Sequence, residues 1–110
     1  PAKVDARTVA EAASSGDAVA RAVMDEVSTN LGVGIVSLVH ILDPDVIVIG
    51  GGMSQNLDML LPGIERENER HALPHQRGRA PVVKAELGDD GGLLGAAAAA
   101  FAAYDAKKTP

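Results

Sequence analysis

Val46-Ile47-Val48-Ile49 is an unbroken run of β-branched side chains, closed in front by Asp43-Pro44 and behind by Gly50-Gly51-Gly52. Such a run is too short for a helix, and stiff β-branched side chains pack best on a pleated surface, so it predicts a strand. Apolar side chains on both faces predict the interior of a parallel sheet. A second run, Val82 to Leu87, follows Pro81 with Lys84 and Glu86 interleaved, which predicts a less completely buried strand. Between the two, Leu57, Leu60, Leu61, Ile64 and Ala72 return at helical spacing, with Pro62 expected to delay or kink that helix. Two strands joined through a helix should be parallel with a right-handed crossover. The predicted class is therefore α/β.

Ahead of the first strand, Asp5 is placed as the N-cap of a short helix carrying Val9, Ala10, Ala12 and Ala13, which Ser14-Ser15-Gly16 stops. Asp17 opens a much longer helix. Along it Val19, Val23, Val27, Leu31, Ile35, Leu38 and Leu42 recur at steps of three and four, which predicts one buried face over about seven turns. Pro44 forces the end, because the residue before a proline leaves the right-handed helical region. After the second strand, Gly88 to Gly92 turns the chain into an Ala-rich helix over Leu93 to Tyr104, and residues 105–110 read as a flexible polar tail.

At 110 residues the chain has room for one domain, and two strands do not make an independent sheet of this kind. A strand apolar on both faces needs a neighbour at each edge, so a partial α/β domain is predicted. Acidic residues outnumber basic ones, 15 to 10, which counts against nucleic acid or an anionic membrane as the main partner. Phe and Tyr occur once each and Trp not at all, so helices must pack through small side chains around a thin core. The absence of Cys removes disulfides, thiolate metal sites and thiol nucleophiles. No leader and no apolar run of about 18 residues is recognised, which makes a cytoplasmic location the expectation.

The junction Ile49-Gly50-Gly51-Gly52-Met53-Ser54 carries the strongest functional signal. Ligands of parallel sheets collect at the carboxyl ends of strands, and glycines there let the backbone approach a ligand closely. A helix start just beyond supplies free amide donors. The plain alternative is a tight turn needing positive φ, which one or two glycines satisfy. The phosphate-binding Gly-Lys-Ser or Gly-Lys-Thr pattern is absent, and Gln55 stands where a dinucleotide fingerprint has its third small residue. Gly32-Val33-Gly34 sits inside a helix and reads as room for a crossing helix.

The remaining polar residues read as structural. Asp43 is a helix-end residue, and Asp89 and Asp90 are turn or N-cap residues. Pro74 interrupts the His71 and His75 pair, which reads as surface histidines rather than a metal site. His40 is expected to be packed and hydrogen-bonded. Arg66, Arg70, Arg77 and Arg79 could make a local anionic contact, but the nearby Glu65, Glu67 and Glu69 favour a solvated helix face, and Ala96 to Ala100 reads as helix packing.

The stretch from Leu31-Gly32-Val33-Gly34-Ile35 through Leu42-Asp43-Pro44-Asp45-Val46 to Gly51-Gly52-Met53-Ser54 resembles the ROK family of bacterial sugar kinases and sugar-responsive repressors. Leu87-Gly88-Asp89-Asp90-Gly91-Gly92-Leu93-Leu94-Gly95 resembles that family's closing segment, although Ala often stands there in place of Gly91. The resemblance implies an actin-like ATPase (ribonuclease H-like) fold, with residues 1–110 as the carboxyl-terminal half of the second lobe. It implies that Gly51, Gly52 and Ser54 border the adenosine of ATP, with Met53 as an apolar contact. The helix bearing Gly32 and Gly34 resembles the family's connecting helix near the hinge between lobes. The family's phosphate-binding loop, catalytic aspartate, sugar contacts and cysteine-rich zinc motif have no counterpart in this sequence, so no catalytic residue is assigned. ATP with Mg²⁺, zinc, a sugar substrate or effector and homo-oligomerisation are expectations for a longer polypeptide. DNA is the partner only if that polypeptide is a repressor.

Overall fold

The computed structural model describes residues 3–108. Six regular elements follow one another: α1 (Ala6–Ser14), α2 (Ala18–Leu42), β1 (Ile47–Ile49), α3 (Leu57–His71), β2 (Val82–Lys84) and α4 (Gly91–Lys108), with 3₁₀ turns at Gly52–Asn56 and Gly88–Asp90. Local chemistry sets the early boundaries. Asp5 caps α1 by accepting from the Thr8 amide, while Thr8 Oγ1 accepts from the Asp5 amide, a reciprocal capping box. Asp17 accepts from the Ala20 amide at 2.8 Å and starts α2. That helix stops at Asp43, whose φ of 42° and ψ of 57° place it in the left-handed region immediately before Pro44.

β1 and β2 pair in parallel, Ile47 with Val82, Val48 with Val83 and Ile49 with Lys84. The ladder is bounded by Ile47 N to Pro81 O and Ala85 N to Ile49 O, both 2.9 Å. β2 ends at Lys84, earlier than the apolar pattern suggested, because the chain turns into the Gly88–Asp90 segment with Gly88 at φ +56°. Helices α2 and α3 form the layer beside this ladder. Val48 on the other face is 56 % exposed and Val83 is 40 % exposed, so the two-sided burial expected of the first strand is not completed among the described residues.

The core is built from Ala10, Ala13, Ala20, Met24, Ile35, Val39, Leu57, Leu60 and Ile64. Its seam differs from the stripe that periodicity picked out on α2. Val19, Val23, Val27, Leu38 and Leu42 are exposed, whereas Ala20, Met24, Ser28, Gly32, Ile35, Val36 and Val39 are buried. The reason is steric. Helix α2 is apolar on both sides, and α3 settles on the side whose small residues let it come closest. A Cβ on Gly32 would lie 2.9 Å from the Glu67 Cβ and 3.0 Å from the Ile64 Cα, and Gly63 of α3 lies against Ser28, whose hydroxyl donates to the Leu60 carbonyl. Glu67, expected on a solvated face, is consequently buried within this crossing.

Two further expectations change. Helix α3 starts at Leu57 and continues through Pro62, which faces solvent. Helix α4 runs past Tyr104, so residues 105–108 are helical rather than a flexible tail, with Lys108 Nζ 4.4 Å from the centre of the Tyr104 ring. No α4 residue is buried, so the packing read for Ala96 to Ala100 is not seen among the described residues, and the Ala-rich sequence favours helix by intrinsic propensity. The last two positions of the proposed tail lie outside the described residues.

Candidate functional site

At the carboxyl end of β1 the backbone reverses at Gly51, with φ +79° and ψ −176°, a conformation that disfavours any side chain. Gly52 then enters the 3₁₀ turn without positive φ. Ser54 closes the turn from within: its Oγ donates to Gly51 O at 2.7 Å and its amide to the same oxygen at 3.1 Å. Ser54 is 1 % exposed, which fixes Gly51 and leaves the serine hydroxyl engaged inside the protein. A Cβ on Gly52 would meet nothing within 4 Å. The backbone conformation therefore requires glycine at 51, while neither φ nor a contact within this chain requires it at 52.

The turn forms one side of a cavity of about 750 Å³ whose opposite side is the first half of α1. Gly52, Met53, Gln55 and Asn56 line it from the turn, Asp5, Arg7, Ala10 and Glu11 from the start of α1, and Asp89 lines it as well. Of the four residues implicated by sequence, Gly52 and Met53 line the cavity, while Gly51 and Ser54 shape the turn behind them. The wall on α1 was missed by sequence reasoning. Nothing in an exposed helical turn announces which distant loop it will face, and Asp5 was legible only as a cap.

The electrostatics of this cavity are acidic. Thr8, through its hydroxyl at 2.6 Å and its amide at 2.9 Å, holds the Asp5 carboxyl below its ordinary pKa. Arg7 Nε lies 2.9 Å from Glu11 Oε1, an exposed pair one helical turn apart. Lys84 Nζ donates to Gln55 Oε1 at 2.9 Å and ties the turn to β2.

Elsewhere the polar residues serve structure. Asp43 caps α2 and accepts from Gln76 Nε2 at 3.3 Å, with Arg79 NH1 at 3.8 Å. His40 accepts from the Leu73 amide at 3.3 Å but is exposed rather than packed. Arg66 reaches from α3 to Asp25 at 3.2 Å and Thr29 at 2.7 Å on α2. His71 lies 3.2 Å from Glu67, and His75 is exposed. Among the described residues no group of His, Cys, Asp and Glu could hold a metal ion. By length and composition α2 could cross a membrane, and a core helix that packs as α2 does against α3 meets the same criterion.

The family model described as ROK matches residues 1–103. A glucokinase of Halalkalibacterium halodurans is 41 % identical over 90 residues, covering 82 % of this chain and 27 % of the relative. The DNA-binding transcriptional dual regulator NagC of Escherichia coli K12 is 36 % identical over 81 residues, covering 74 % of this chain and 20 % of the regulator. Among solved structures, a putative sugar kinase of Cytophaga hutchinsonii superposes with a TM-score of 0.81 at 32 % identity, over 92 % of this chain and 34 % of that one. The chain thus spans about a third or less of each of these proteins.

Proposed function

The chain belongs to the ROK family, and from that premise we propose that it forms the nucleotide-side portion of an ATP-dependent sugar kinase, the carboxyl-terminal half of that enzyme's second lobe. The observation that carries this reading is the place of Gly52: it lines a cavity at the carboxyl end of a parallel strand, with open space where a side chain would stand. A ligand backed closely against the turn would occupy that space. Gly51 and Ser54 hold the turn in shape, and Met53 offers the cavity an apolar, polarisable surface.

ATP would supply the phosphoryl group, transferred to a hexose or N-acetylhexosamine, and Mg²⁺ would offset the phosphate charge. Gly51, Gly52, Met53 and Ser54 position the adenosine end. The proton acceptor, phosphate loop and sugar contacts are assigned to the remainder of a longer, homo-oligomeric, cytoplasmic protein. Alignment of a hydroxyl and stabilisation of charge on the transferring group dominate this chemistry, so the 110-residue chain alone should give no turnover.

The test is Gly52→Val in the full-length polypeptide. A Cβ at this position meets no atom of this chain, and the ATP dissociation constant should rise about tenfold or more, the equivalent of at least about 1.4 kcal/mol, in a variant whose circular dichroism and melting match the parent. Sugar affinity should change little. Unchanged ATP affinity in a folded Gly52→Val protein defeats the reading.

The similarity to NagC supports a second reading, in which this region senses a sugar effector and dimerises in a repressor. Turnover of ATP with a hexose panel by the full-length protein selects the kinase. Sequence-specific DNA binding that the sugar releases, without turnover, selects the repressor.

A further inference from the structure

The wall of the cavity opposite the glycine turn offers a group that the reading above leaves without a role. A nucleobase buries its flat faces, and proteins commonly supply an aromatic ring for them. No aromatic residue lines this cavity: Phe101 and Tyr104 are on α4, and the chain has no Trp. The surfaces suited to a π-face are the Met53 thioether on the turn and the planar Arg7 guanidinium on α1. We propose that Arg7 stacks on the base of the bound nucleotide, opposite Met53, and does not contact the phosphates; this rests on the nucleotide reading of the glycine turn.

Charge decides which end of the nucleotide Arg7 meets. Asp5, Glu11 and Asp89 line the same cavity, so its carboxylates outnumber its one arginine. A triphosphate is repelled from such a wall, while the uncharged base and ribose are not. The nucleoside end therefore occupies the cavity and the phosphates lie outside it. Arg7 is free to turn inward: its side chain is 88 % exposed, and its partner Glu11 is itself 65 % exposed, a pairing that water largely screens. The platform beneath it is rigid, because Ala10 and Ala13 of α1 are each 2 % exposed and the capping box fixes the first turn.

The experiment measures ATP dissociation constants by calorimetry for the full-length polypeptide and its Arg7→Ala, Arg7→Lys and Gly52→Val variants. Ala and Lys are as helix-favouring as Arg, and the site is exposed, so both Arg7 variants retain the fold. Stacking predicts that Arg7→Ala weakens ATP about two- to fivefold and that Arg7→Lys recovers only part of that loss, because lysine keeps the charge and loses the plane. Wild-type affinity in Arg7→Lys with a loss in Arg7→Ala would mean that the charge acts on phosphate, and overturns the proposal. If both Arg7 variants bind as wild type while Gly52→Val is impaired, the stacking role fails and the nucleotide site stands. If Gly52→Val also binds as wild type, the nucleotide reading falls and the stacking role with it.

Discussion

Replacing Gly63 by alanine tests the account of how α2 and α3 meet. The new methyl would overlap the Ser28 Oγ outright and stand 2.7 Å from the Ser28 Cβ and 3.1 Å from its carbonyl carbon. Rotating the hydroxyl away breaks its bond to the Leu60 carbonyl, a loss of about 1 kcal/mol, and leaves the other two contacts in place. The helices must then separate, and overpacking of this kind costs about 1–3 kcal/mol. Alanine's better helix propensity returns about 1 kcal/mol. The net expectation is a loss of about 1–3 kcal/mol. Gly34→Ala is the matched control, because a Cβ there meets nothing within 4 Å and only the propensity gain of about 1 kcal/mol remains. Urea unfolding followed by far-ultraviolet circular dichroism should move the two midpoints in opposite directions at similar slope. A Gly63→Ala chain as stable as the parent would refute the close crossing as the organising contact of the core.

Two other expectations follow from the same structure. Because Thr8 lowers the Asp5 pKa from its ordinary 3.8, the cap should support α1 fully above that value and lose its contribution as pH falls through the lowered one. Carbon-detected titration of Asp5, with Thr8 amide exchange, reads this directly, and an Asp5 that titrates at or above 3.8 contradicts it. Separately, Ile41 is 77 % exposed on α2 and Phe101 is 70 % exposed on α4, so the isolated chain should self-associate in sedimentation, and Ile41→Lys with Phe101→Lys should shift it toward monomer. A monodisperse monomer of the unaltered chain would show that these faces need no cover.

Much of the architecture was legible because its signals are local. An N-cap is a hydrogen bond spanning three residues, as at Asp5 and Asp17, and a helix end before Pro44 is a clash between neighbours. Stiff side chains between Pro44 and Gly50 left little besides a strand, and the helix between the two strands made them parallel. The glycine turn was legible for the same reason, since Gly51 answers to its own φ. Tertiary structure alone decided the rest. Gly32 was legible as room for a crossing helix, although Gly34 beside it meets nothing, but periodicity reports only where apolar area lies, and α2 has it on both sides, so it could not tell that Ser28 would be buried while Val19 and Leu38 stayed exposed. Nor could it place Glu67 in the crossing or bring Arg7 to the cavity beside Gly52. Those outcomes depend on how closely two surfaces can approach, a steric property of paired elements distant in sequence, whereas caps, turns and strand signals are energies between near neighbours.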